Sequence, residues 1–405
     1  MTDLARGIIK IKGFSDPEME FQLLRQLGST AYGGASVGEC FAMADEIQEG
    51  EPETWVKAFA KWGNNQQQEA IARAAKNHAL SAYEQFLKAS NSFRAAEYYS
   101  PWQKEGHRKL GLLSRACFQQ AMAFSKHYFE SFTFNLDGEI IPAYLICPYK
   151  ERTPKKTIII VSGFDGTMEE EYCMRGIAGL ERGYNVILMA GPGQMDTARL
   201  NDGSCFKPDY EKPLALVIDQ LAHRQEIDHN KLALCGISFG GYFATRAACF
   251  EPRVKALIAN SPIVDLYAYM SAFSGIDPLK DIPDTDDFSI EDLAYIPEQE
   301  MSKQLKAQTE SLISRFGQKT FKATFRYLQE FKVEEMLDRI KCPTLALIGE
   351  AEGREPERQS RQFVKKTNAA EYKFNDTTGA STHCQVGNPV LANAIMYDWL
   401  DEQFE

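Results

Sequence analysis

The run Leu232-Ala233-Leu234-Cys235-Gly236-Ile237-Ser238-Phe239-Gly240-Gly241 constrains this chain more than any other segment. An apolar stretch follows the polar turn 226–230 and reads as a buried strand. It ends in Gly-x-Ser-x-Gly, and 241–250 then carries Ala, Phe and Tyr at helical spacing before stopping near Pro252. A serine on so tight a strand-to-helix turn has its hydroxyl thrust out of the sheet. Residues two positions to either side must be small, as Gly236 and Gly240 are. The helix start leaves backbone N–H groups free beside the hydroxyl, where an oxyanion forms in acyl transfer. The pentapeptide alone also fits a plain turn; the strand before it and the helix after it favour a nucleophile elbow.

The rest of the chain supplies a matching framework. Segments 130–135 and 139–147 read as a hairpin across Leu136-Asp137-Gly138. Buried strands are predicted at 156–162, 184–190, 231–235, 254–260, 344–348 and 371–374. Helices are predicted at 170–182, 213–223, 241–250, 355–366 and 389–402. This alternation implies an α/β fold with a mostly parallel sheet covered on both faces, occupying 129–405. A helical insertion, 266–337, interrupts it where lids commonly occur, and its acidic run Asp281-Ile282-Pro283-Asp284-Thr285-Asp286-Asp287 is expected to be a solvated loop. Residues 1–128 read as a helical region: 53–87, then 90–99, then a helix from Pro101. Its aromatic stripe is expected to pack between helices, with a share roofing a substrate cavity. The segment before Ser15 is expected either to pack back on the body or to be mobile.

Bulk properties exclude several classes. A net charge of −11 without a Lys/Arg-rich run disfavours a nucleic-acid partner. No stretch reaches the roughly 18 apolar residues of a membrane span, and 1–13 lacks the apolar core of a signal peptide. The nine cysteines are scattered and never form Cys-x-x-Cys, which implies reduced thiols and a cytoplasmic setting. No two histidines fall at ligand spacing, and Cys384 beside His383 is too little for a metal site, so neither metal nor other cofactor is expected.

A serine nucleophile needs a base, and the base an orienting acid. In α/β-hydrolases the chain order is serine, acid, histidine. His78, His107, His127, His223 and His229 all precede Ser238; only His383 follows it, in a polar loop between the last strand and the last helix. The acid is expected after strand 344–348, in Gly349-Glu350-Ala351-Glu352-Gly353. The frequent form Gly-x-x-Asp aligns with Glu352, while Glu350 competes for the role. The oxyanion donors are expected to be the N–H groups of Phe239 and of Phe164, the latter in Ser162-Gly163-Phe164-Asp165-Gly166-Thr167 after an early strand.

Ser162 to Glu170, Gly191-Pro192-Gly193-Gln194, Gly236 to Tyr242, Asn260-Ser261-Pro262-Ile263 and His383-Cys384 together resemble one branch of the α/β-hydrolases. That branch includes 2,6-dihydroxypseudooxynicotine hydrolase and polyketide-shortening hydrolases of fungal pigment and bacterial anthraquinone synthesis. The branch also includes esterases and dipeptidyl-aminopeptidase-like proteins. The chain departs from the pattern at Glu352, where members commonly carry Asp, and at Met195, where Gly is common; the second change is expected to alter only a loop. The resemblance implies cleavage of a carbon–carbon bond next to a ketone in an aromatic or polyketide-like small molecule, and a homodimer. Trp55, Trp62, Tyr98, Tyr99 and Trp102 are candidates to roof a flat substrate, and Asp165, Tyr242 and Asp265 to line its pocket. An ordinary carboxylesterase or peptidase-like enzyme is the alternative, and a non-catalytic binding protein on the same fold the third.

Overall fold

Asp137 and Gly138, both at positive φ (52° and 91°), turn the first hairpin of the computed structural model, as an Asp-Gly pair does between twisted strands. The structure describes residues 13–102, 104–150, 153–221 and 223–405; most of the segment before Ser15 lies outside them. The hairpin joins β1 (Tyr128–Leu136) to β2 (Glu139–Cys147). Six further strands follow: β3 (Lys155–Val161), β4 (Asn185–Met189), β5 (Ile227–Ile237), β6 (Ala256–Asn260), β7 (Thr344–Gly349) and β8 (Ala370–Phe374). The eight form one sheet in the order β1-β2-β4-β3-β5-β6-β7-β8. β2 is antiparallel to both neighbours, and all later pairings are parallel.

The unbroken isoleucines of β3 follow from burial on both sides. Ile159 and Val161 pack with Leu234 on one face, while Ile158 and Ile160 pack with Ala233 and Cys235 on the other. Register with β5 places the end of β3, Val161, beside Gly236, so the loop carrying Phe164 emerges next to the Ser238 turn.

Helices Pro17–Gly28, Val37–Ala44, Pro52–Ala74, Ala79–Tyr99 and Glu105–Ala123 precede the sheet. The break in the long aromatic stripe differs from the spacing-based expectation. It falls before Ala79, where Asn77 takes φ 60°, and not near residue 88, because Leu87 and Ala89 are buried and continue the helix. The next helix begins at Glu105, four residues beyond Pro101.

Three consecutive glutamates after β3 each pair with a different arginine, and the pairs of the first two reach the preceding helices. Glu169 meets Arg199 at 2.9 Å, Glu170 meets Arg25 at 2.5 Å, and Glu171 meets Arg175 at 2.8 Å, all nearly or fully buried. Arg199 also pairs with Asp196 at 2.9 Å and with Glu97 from the helix Ala79–Tyr99. Pairing of this kind offsets the cost of burying these charges.

The insertion leaves and rejoins the body at a narrow neck. The Leu266 N–H donates to the Phe331 carbonyl (3.1 Å), the Val333 N–H donates to that of Val264 (2.9 Å), and Lys332 pairs with Asp265 (3.1 Å). Its helices include Leu266–Ser274, Lys303–Arg315 and Phe321–Leu328. The acidic run is more than a solvated loop. Asp284 bridges Lys322 (2.7 Å) and Arg326 (3.0 Å), and Asp287 accepts from the Thr320 hydroxyl and the Lys322 N–H, clasping the helix Phe321–Leu328. Among the described residues no helix is long and apolar enough to cross a membrane.

Candidate active site

Ser238 adopts φ 59° and ψ −124°, a conformation costly for a non-glycine residue and often retained at functional turns. Its N–H donates to the Asn260 carbonyl at 2.6 Å, pinning the turn to the end of β6. Glycine is obligatory on either side: a Cβ at Gly236 would lie 1.9 Å from the Gly240 carbonyl oxygen, and one at Gly240 would lie 2.4 Å from that of Val161.

The Ser238 Oγ lies 2.9 Å from His383 Nε2, and His383 Nδ1 lies 2.6 Å from Glu352 Oε2. Glu352 is fully buried. Its Oε1 accepts the Gly349 N–H (2.8 Å), and its Oε2 also accepts the Ser261 hydroxyl (2.6 Å). The longer glutamate side chain therefore closes the short turn after β7 back on itself while reaching the imidazole. Glu350 is exposed. The histidine loop is held by Arg175, whose Nη2 donates to the Cys384 carbonyl (3.0 Å), and by Asn260 Nδ2, which donates to Gln385 Oε1 (2.8 Å). Burial opposes the imidazolium, but the adjacent Cys384 sulfur and the Glu352 carboxylate favour it and prevail, so His383 keeps its proton to a higher pH than a free imidazole.

Phe239 opens the helix Phe239–Ala248, so its N–H has no carbonyl partner within that helix. The Phe164 ring packs edge-on against that of Phe239 at 5.3 Å, placing the two proposed oxyanion residues side by side.

A cavity of about 440 Å³ opens on Ser238 and His383. Its walls come from three parts of the chain: Phe21, Tyr98, Tyr99 and Trp102 from the N-terminal region, Phe164, Asp165 and Phe239 from beyond the ends of β3 and β5, and Tyr269, Phe273 and Arg315 from the insertion. Asp165 is paired with Arg25 at 3.3 Å. Tyr242 and Asp265 are not in the wall. Tyr242 is buried in the core and donates to the Pro208 carbonyl (3.1 Å); Asp265 caps the helix Leu266–Ser274 through the Ala268 N–H (2.9 Å). Of the roofing aromatics, Trp55 stacks on Phe59 inside the helical core and Trp62 donates to Glu46, so neither reaches the cavity. Met195 alters more than a loop: it begins the helix Met195–Leu200 and lines the cavity. Arg25, Arg175, Ser261 and Arg315 went unnoticed in the sequence. Ser261 lay within a motif already singled out; a lone arginine in a helical insertion gives no local signal.

A family model for FrsA-like esterases matches residues 47–286. Hydrolase LUC6 of a Fusarium species is 31% identical over 438 residues, covering 96% of this chain and 97% of that protein. The 20-hydroxy-prefusarin hydrolase FUS2 of Gibberella moniliformis is 32% identical over 266 residues, 63% of each chain. Among solved structures, 2,6-dihydroxy-pseudo-oxynicotine hydrolase superposes with a TM-score of 0.72 at 22% identity, over 92% of this chain and 94% of its own; that likeness carries the α/β-hydrolase fold.

Proposed function

The chain belongs to the FrsA-like esterase family, and from that premise we propose that it is a serine hydrolase cleaving a carbon–carbon bond beside a ketone in an aromatic or polyketide-like small molecule. The observation that carries this reading is the continuous relay Ser238–His383–Glu352, at 2.9 and 2.6 Å, opening on an aromatic-walled cavity. The prefusarin hydrolase among its relatives and the pseudo-oxynicotine hydrolase among its structural neighbours also support it.

In this mechanism His383 Nε2 takes the Ser238 proton as Oγ attacks the carbonyl carbon, and Glu352 holds the imidazole and stabilises its cation. The tetrahedral oxyanion lies against the N–H groups of Phe239 and Phe164. Collapse of the intermediate breaks the carbon–carbon bond. Its electron pair leaves with the carbon and delocalises onto a neighbouring oxygen, and His383 returns the proton to that carbon. Water, deprotonated by His383, then releases the acyl group from Ser238. Only a leaving group able to spread the charge makes this step accessible, so the substrate is a β-dicarbonyl or an electron-rich aryl ketone.

The test is turnover of 1-phenyl-1,3-butanedione to a carboxylate and a ketone, lost in Ser238→Ala. Hydrolysis of short 4-nitrophenyl esters with no action on the diketone would favour the second reading, a carboxylesterase, to which the esterase family description points. A homodimer in the cytoplasm belongs to the same proposal; light scattering of the purified protein checks the assembly.

A further inference from the structure

We propose that Arg315 and the indole N–H of Trp102 form a second anion site in the cavity, one that takes the enolate or phenolate oxygen developing on the leaving group as the carbon–carbon bond breaks. This rests on the hydrolase reading of Ser238.

Among the described residues three arginines line the cavity. Arg25 has Glu170 and Arg175 has Glu171. Among the described residues no carboxylate pairs with Arg315, although it is only 1% exposed. Its guanidinium is instead sandwiched by rings, 4.2 Å from the centroid of Phe164, 4.5 Å from Trp102 and 4.7 Å from Phe206. It makes one hydrogen bond among the described residues, from Nη2 to the Gly193 carbonyl at 2.8 Å. Its Nε–H has no acceptor among the described residues, and neither has the buried indole N–H of Trp102. Both residues line the cavity, with these two orphaned donors just beneath its surface, so a small shift of the stacked side chains lets an acceptor-bearing ligand satisfy them.

Charge supports the same assignment. Burial pulls Arg315 below the usual arginine range, and the more distant Asp165 and Glu97 offset only part of that, so an arriving anion gains a desolvated cation. His107, edge-on to Trp102 at 4.8 Å, is held neutral by burial, down to about 4, and adds no competing charge at neutral pH. The placement suits the leaving group rather than the attacked carbonyl. Arg315 lies across the Phe164 ring, whose residue supplies a proposed oxyanion donor on its backbone side. As the bond breaks, its electron pair moves to the leaving carbon and onto the attached oxygen. Arg315 remains protonated and donates to that oxygen until His383 protonates the carbon.

The test uses Ser238→Ala protein, which holds ligands without turnover, and 4-nitrophenol as the probe. Calorimetric titration at a pH where the phenol is ionised is expected to show 4-nitrophenolate binding about tenfold or more tighter than neutral 4-nitroanisole, the scale of one charge-assisted hydrogen bond. The absorbance of bound 4-nitrophenol is expected to show ionisation about one pH unit below that in water. Adding Arg315→Gln should erase both effects. If that protein does not fold, Trp102→Phe keeps the ring, drops the N–H, and should cut the preference about threefold, and Arg315→Lys should reduce it further. A parallel titration with 4-nitrobenzoate distinguishes a phenolate-type oxygen from a carboxylate on the substrate. Equal binding of phenolate and anisole, or a preference that survives the Arg315 and Trp102 substitutions, overturns the proposal. Fluorophosphonate labelling of Ser238 in the wild-type protein reads the hydrolase assignment separately, since that reaction needs no anion in the second site.

Discussion

Replacing Glu352 by Gln alters the relay at one atom and leaves the fold in place. Oε1 of the amide still accepts the Gly349 N–H, which lies 2.8 Å away in the native protein. The other position becomes an NH2 group, facing the Ser261 hydroxyl and His383 Nδ1, both 2.6 Å from the native oxygen. The hydroxyl can turn to accept. The imidazole must present a bare Nδ1, so its proton moves to Nε2, 2.9 Å from Ser238 Oγ, where a base is needed. The charge that favoured the imidazolium is lost as well. In the best-studied serine triad this exchange lowers kcat about 10⁴-fold. Here the expected loss is roughly 10³ to 10⁴, or about 4–5.5 kcal/mol at about 1.36 kcal/mol per decade, with KM changed little. The assay is steady-state hydrolysis of 4-nitrophenyl butyrate, paired with circular dichroism. Glu350→Gln, at an exposed position, should stay within about twofold of wild type. Retention of more than a tenth of the activity in Glu352→Gln, or the large loss appearing at Glu350, would refute the reasoning.

Further outcomes follow from the same geometry. The proposed mechanism requires neutral His383, whose proton is held more tightly than in free imidazole. The acid limb of kcat/KM should therefore lie above pH 6.5, with activity rising as pH increases, and should move down in Glu352→Gln; a limb at or below 6.5 contradicts this. Gly236→Ala drives a methyl to 1.9 Å from the Gly240 carbonyl and should cost about 3 kcal/mol or more in urea unfolding. Arg199→Met leaves Glu97, Glu169 and Asp196 buried without their cation, and a loss of about 3–5 kcal/mol is expected in the same measurement.

Much of this architecture was legible in the chain because local chemistry dictates it. A strand covered on both faces must be continuously apolar, so β3 and the second half of β5 announce themselves, whereas Ile227 to Asn230, read as a polar turn, extend β5 as a largely solvent-facing strand; a turn as sharp as that at Ser238 admits glycine only at its flanks. Chain order alone singled out His383, the one histidine after the serine. Which of Glu350 and Glu352 contacts His383 is not encoded in their spacing, because carboxylates of one loop differ only in which one is folded inward. Tyr242 and Asp265 sat near the right motifs but point into the core and the insertion neck, directions that spacing does not encode. Arg315 was invisible for a different reason: its environment is built from residues 102, 164 and 206, which meet only in the folded protein.

The most direct measurement is rapid acid quench of the wild-type protein mixed with 1-phenyl-1,3-butanedione, followed by peptide mass spectrometry. An acyl group on the peptide carrying Ser238, formed with release of the complementary ketone and absent from Ser238→Ala, is the predicted result. Ketone release with no adduct at Ser238, or no reaction of either the diketone or 4-nitrophenyl esters at that residue, would contradict the account.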